Sequence, residues 1–107
     1  DLGTQMQRIT LLVNTEFGRR VAGNASNGTD HGTGGLAYLV GGGVNGGQVV
    51  SNWPGLATAS LEMGEDLKIT TDLRTVLAEM LGKRLGGTDI NSVFPGFSGP
   101  VSANVFL

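Results

Sequence analysis

Apolar and polar positions fall in blocks along this chain. The stretch "RITLLVNT" (8–15) is a β-rich apolar run bounded by polar residues and reads as a buried strand. "GLAYLVGGG" (35–43) is a second such run, closed by glycines. Between them, residues 16–34 show little periodicity and are crowded with Gly, Asn, Ser and Thr. They read as one long loop with a helical turn around Phe17 to Val21, and a loop of that length in a compact domain is usually functional or disordered. "VNGG" (44–47) signals a turn, "GQVVSNW" a short strand after it, residues 53–67 irregular chain, and "KIT" (68–70) a short extended segment. The opening "DLGTQMQRIT" reads as the end of a helix running into the first strand.

The clearest element is "TDLRTVLAEMLGKRLG" (71–86), whose apolar residues recur at helical spacing. Thr71 stands as the expected N-cap, and Asp72 suits the positive end of the helix dipole. Leu73, Val76, Leu77, Met80, Leu81 and Leu85 form one apolar stripe. Lys83 and Arg84 occupy the last turn, and Gly86-Gly87 stops the helix. Such a helix packs on a sheet and does no chemistry itself. "INSVFPGF" (90–97) follows as a loop, and "VSANVFL" (101–107) as a last strand or a tail. Two buried strands, a helix and long loops indicate an α/β fold.

Composition narrows the class. With 39% hydrophobic and 15% charged residues in 107, the chain is neither a disordered tail nor a membrane protein, and its length suits one small domain. Nineteen glycines without a G-X-Y period exclude collagen and imply many tight turns. A net charge of −2, with seven dispersed basic residues, leaves no electrostatic footprint for nucleic acid. Cysteine is absent, which excludes disulfides and thiolate metal sites. No apolar run reaches membrane-spanning length, and Arg19-Arg20, mid-chain with no apolar stretch after it, is not an export signal. A start without methionine that runs straight into a strand suggests a piece of a longer protein.

The candidate chemistry lies between the first two strands. Glu16 stands directly after one strand, and Asp30 and His31 stand just before the next. Open α/β sheets place ligands beyond the carboxyl ends of their strands, so neighbouring strands would bring all three to one crevice. Carboxylate and imidazole suit zinc or a similar divalent cation. The competing reading of a lone Asp-His pair among glycines is a solvated turn. "GGGVNGG" lacks the Gly-Lys-Ser/Thr ending of a phosphate-binding loop and reads as a glycine turn. Asn24-Ala25-Ser26 and Asn27-Gly28-Thr29 fit the glycosylation pattern but say only that the loop is polar. Trp53-Pro54 reads as a packing anchor, "FPGF" as a loop that covers the end of a core, and Asp72 with Arg74 as a surface pair.

The blocks T-E-F-G-R, D-H-G, G-G-G-V-x-G-G, T-D-x-R and P-G-F occur here in order over nearly the whole chain. In this the sequence resembles the C-terminal end of an uncharacterised bacterial family, often exported by the twin-arginine route, named domain of unknown function fifteen-oh-one. That family belongs to the alkaline phosphatase and sulfatase superfamily. The resemblance implies that residues 1–107 are a single segment, the C-terminal part of a doubly wound α/β sheet with long Gly-rich loops, in a periplasmic or extracellular protein. It implies a metal-dependent hydrolase-like protein acting on phosphate or sulfate esters, with zinc, manganese or calcium as cofactor. Glu16 occupies the position of an aspartate metal ligand, and Phe17 stands where a histidine ligand often follows. His31 matches a late histidine ligand, and Asp30 either ligates beside it or accepts its N–H. Arg19 pairs with Glu16 or faces the anionic substrate, since a planar guanidinium suits phosphate or sulfate. The nucleophile and the early aspartates of the superfamily match nothing here, so the segment alone is not expected to catalyse. The partner it requires is the N-terminal part of the same protein or a self-assembly partner. The alternative is a catalytically inactive relative serving as an extracellular binding or assembly module, and a third reading is a purely structural fragment. A sheet lacking its other strands would expose an apolar face and unpaired edges, so the segment is expected to be unstable alone.

Overall fold

A computed structural model describes residues 1–87 and 89–107 of the chain. A 3₁₀ turn (Gly3–Arg8) leads into four strands: β1 (Thr10–Asn14), β2 (Gly18–Gly23), β3 (Thr29–Gly32) and β4 (Ala37–Gly41). A second 3₁₀ turn (Thr58–Ser60) precedes helix α1 (Leu73–Leu85) and the single helical turn α2 (Ile90–Val93). β1 pairs with β4, and β2 pairs antiparallel with β3, giving two sheets of two strands. The chain divides into two compact units, residues 1–12, 39–50 and 71–107 in one, residues 13–38 and 51–70 in the other. The division falls inside β1 and β4, so each of these strands belongs in part to both units.

In the first unit α1 starts one residue later than the pattern suggests. Asp72, not Thr71, is the N-cap, because its carboxylate accepts the Arg74 N–H at 2.8 Å while its own backbone stays extended. The Arg74 guanidinium folds back on the same carboxylate at 2.6 Å, which holds Asp72 below the usual aspartate range and raises Arg74. The helix ends where expected: Gly86 takes the left-handed conformation (φ 67°), and the Gly87 N–H caps the Leu81 carbonyl at 2.9 Å. The buried face differs from the expected leucine stripe. Thr75, Ala78 and Glu79 are buried, whereas Leu73 and Leu85 are exposed. Small side chains and a hydrogen-bonded carboxylate allow the closest approach of backbone to this helix, and the segment 101–107 takes that place. The Arg84 guanidinium reaches the Thr10 hydroxyl and the Gln7 carbonyl, both at 2.9 Å. Gly42 lies so close to the first turn that a Cβ there would sit 2.1 Å from the Gln7 carbonyl oxygen.

In the second unit the expected long loop is an antiparallel hairpin. Residues around Phe17 to Val21 are extended rather than helical. The hairpin ladder satisfies their backbone donors and acceptors, which a single isolated helical turn would leave largely open. The Arg20 guanidinium joins Glu65 at 3.1 Å and approaches Asp66 at 3.6 Å, and the Val21 N–H meets the Glu65 carbonyl. These contacts fasten β2 to the turn at 62–66.

The runs read as buried strands are strands, but they are not buried. In β1, Leu11 and Val13 are 53% and 47% exposed, and in β4, Tyr38 and Val40 are 61% and 51% exposed. A two-stranded ladder offers no second layer to cover such a face. Among the described residues, Ala78 and Phe106 are the buried apolar side chains. "GQVVSNW" and "KIT" form no strand, and Val49 is 92% exposed, because these segments find no backbone partner to complete a ladder.

Candidate functional site

The hairpin is shaped by Asn24. Its side-chain oxygen accepts the N–H groups of Ser26 and Gly28, each at 3.0 Å, and its own N–H donates to the Gly28 carbonyl at 2.8 Å. Asn27 takes a positive φ of 58°, a conformation asparagine tolerates better than most residues. The Asn27-Gly28 pair is thus the turn signal that identifies a hairpin between two short extended runs. The register pairs Gly18 with Gly32 and Arg19 with His31, then slips before Gly23 pairs with Thr29.

Arg19 and His31 therefore stand directly opposite each other. Phe17, two residues before Arg19, lies on the same face. Its ring stacks on the His31 imidazole with centroids 3.8 Å apart and planes at 26°, and the Arg19 guanidinium carbon lies 5.4 Å from the Phe17 centroid. Arg19 also donates to the Thr29 carbonyl at 2.7 Å. Among the described residues it forms no ion pair, so the expected partnership with Glu16 is not made. Arg19 is exposed, and the bond to Thr29 is its one side-chain hydrogen bond among the described residues.

The proposed metal donors are not assembled. Glu16 is exposed in the bend between β1 and β2, and Asp30 and His31 are exposed on β3. Neighbouring residues of a strand project to opposite faces. The contacts follow that rule: His31 stacks on Phe17, while the Asp30 carboxylate accepts from the Asn24 amide at 2.9 Å. Asp30 is engaged by Asn24 and His31 by Phe17, and no hydrogen bond joins the Asp30 carboxylate to the imidazole. Among the described residues no three His, Cys, Asp or Glu side chains lie close enough to hold a metal. The donor set Glu16, Asp30 and His31 does not by itself fit a divalent ion.

A shallow depression on the hairpin is lined by Arg19, Arg20, Asn24, Thr29, Asp30 and His31. Arg20 is neutralised by Glu65 and Asp66, which leaves Arg19 as the cation free to meet a ligand. The depression thus combines an exposed guanidinium and imidazole with the Asp30 carboxylate, and the Phe17 ring backs the imidazole.

These features define a polar hairpin site carried on a small mixed helix and sheet fold. The chain belongs to the family described as "Protein of unknown function (DUF1501)", which it matches over residues 1–96. No curated protein and no solved structure matches it.

Proposed function

We propose that this chain forms part of an exported hydrolase-like protein of the alkaline phosphatase and sulfatase superfamily, acting on phosphate or sulfate esters. Its contribution is the anion-facing hairpin. The cross-strand pairing of Arg19 with His31 carries this reading: it sets two donors of fixed geometry side by side, with no carboxylate neutralising the guanidinium. The planar fork of Arg19 would grip two oxygens of an ester anion, and His31 would donate to or accept from a third. Any zinc, manganese or calcium ion at His31 would need its other donors from outside this chain, since Glu16 and Asp30 do not converge on the imidazole.

A second reading has its own observation. Phe17 fills the space beside His31 with a phenyl ring in contact distance, where the superfamily often has a ligand. That arrangement favours an inactive relative that binds anionic ligands without hydrolysing them.

The test is elemental analysis of the full-length protein and of its His31→Ala variant, with phosphate and sulfate ester hydrolysis measured on both. Stoichiometric metal and turnover that vanish in the variant support the hydrolase. Absence of both, with inorganic phosphate binding weakened about tenfold or more by Arg19→Ala, supports the binding module, because a charge-assisted hydrogen bond contributes about 1.5–3 kcal/mol. Phosphate binding untouched by Arg19→Ala would remove the hairpin from either role.

A further inference from the structure

Glu79 lies in the middle of α1 and is only 4% exposed. Its two carboxylate oxygens each take a backbone N–H from the segment 101–107: Oε2 from Ala103 at 2.6 Å and Oε1 from Phe106 at 3.0 Å. Between those two residues the chain turns sharply, with Asn104 at φ 58°. The same segment lies along residues 43–48. The Asn45 N–H donates to the Val105 carbonyl and the Leu107 N–H to the Gly43 carbonyl, each at 2.9 Å, and Val44 pairs with Phe106. The side chains of Asn45 and Gln48 both reach the Asn104 carbonyl at 3.2 Å. Phe106, 5% exposed, is the largest side chain of the small core.

Each other hydrogen bond of the segment is neutral. Residues 41–50 and 90–107 contain no Asp, Glu, Lys, Arg or His. On α1 itself Lys83 follows one turn after Glu79 and is exposed, and Arg84 is committed to Thr10 and Gln7. In residues 1–12 the charged side chains, Asp1 and Arg8, are exposed. Glu79 is thus the one ionisable partner of the segment among the described residues. We propose that Glu79 is a pH-sensitive latch that holds the strap 101–107 on α1 and on the 43–45 edge, and that protonation of its carboxyl releases the strap.

The direction follows from the donors. Burial alone would raise the Glu79 carboxyl. The N–H groups of Ala103, Phe106 and Val105 with the Ser102 hydroxyl outweigh burial and hold it below the usual glutamate value. A carboxyl depressed in the closed state binds its partner fully above the free value and loses it as the pH falls through the closed-state value. The latch is therefore closed at neutral pH and opens only in acid, as the pH falls through the depressed closed-state value of the carboxyl. A protonated carboxyl keeps one good acceptor, so one N–H is orphaned when the proton arrives.

Amide hydrogen exchange of the intact protein tests this, with rates corrected for the intrinsic effect of pH. Protection of the Ala103 and Phe106 amides should fall on the order of tenfold relative to α1 as the pH is lowered from neutral to well below the usual glutamate range, where the depressed carboxyl takes its proton. The Glu79→Gln variant should show low protection at those two amides at both pH values, with α1 still protected. Three results would overturn the latch: protection of Ala103 and Phe106 that ignores pH, loss of protection in α1 together with the strap, or a Glu79→Gln response identical to wild type. The wild-type titration decides the matter even if the variant does not fold.

Discussion

Asn24 does more for the hairpin than any charged residue in it. One side-chain oxygen serves two turn N–H groups, and the amide nitrogen of the same residue fixes Asp30. Asn24→Ala should lower stability by about 1 kcal/mol, the net value of one or two exposed hydrogen bonds, and loosen the register that opposes Arg19 to His31. A lower chemical denaturation midpoint together with weaker phosphate binding would bear this out; unchanged binding would show that the Arg19–His31 pairing does not depend on the turn. The three expected metal donors fare differently. Each has the right chemistry and each is exposed, but chemistry without convergence is not a metal site. Asp30 and His31 are adjacent on β3, but the carboxylate is held by Asn24 and the imidazole by Phe17.

Among the elements, α1 was the most legible and the hairpin the least. The helix combines a capping aspartate, a 3.6-residue apolar period and a terminal glycine, all local signals that need no partner. Asp72→Ala should cost about 1 kcal/mol of stability through the lost cap, whereas Asp72→Asn should keep most of it. Urea denaturation of both variants checks this, and equal losses would mean that the exposed Arg74 pair, not the cap, is what matters. The face that α1 buries was not legible. A glutamate within a helix ordinarily faces water, and only the arrival of residues 101–107 makes Glu79 a buried acceptor. The hairpin was hidden for the opposite reason. Its strands are short, polar and glycine-rich, so neither has an apolar face to reveal a period of two.

For the molecule as a whole, the apolar strands of β1 and β4 remain about half exposed, and no large side chain among the described residues is fully buried. Exposed apolar side chains in paired strands are a surface for further structure. Residues 1–107 expressed alone should bind a hydrophobic dye and melt without a cooperative transition. A single sharp, monomeric thermal transition would show instead that the small core around Ala78 and Phe106 suffices. Membership of the family over residues 1–96 agrees with the motif order read along the chain.

The sequence by itself determined the two apolar strands, the helix and the family: strand-forming runs, a capped helix and ordered motifs are properties of neighbouring residues. It also placed the polar residues of interest in one stretch, 16–34. Tertiary pairing decided which of them meet. Antiparallel register brought Arg19 to His31 and set Phe17 against the imidazole, while Asp30 was engaged by Asn24. Burial likewise depends on what arrives from afar in the chain, and so a helical glutamate became the anchor of a strap 24 and 27 residues downstream. Distances along a chain set propensity, and only folding sets which donors and acceptors share a face.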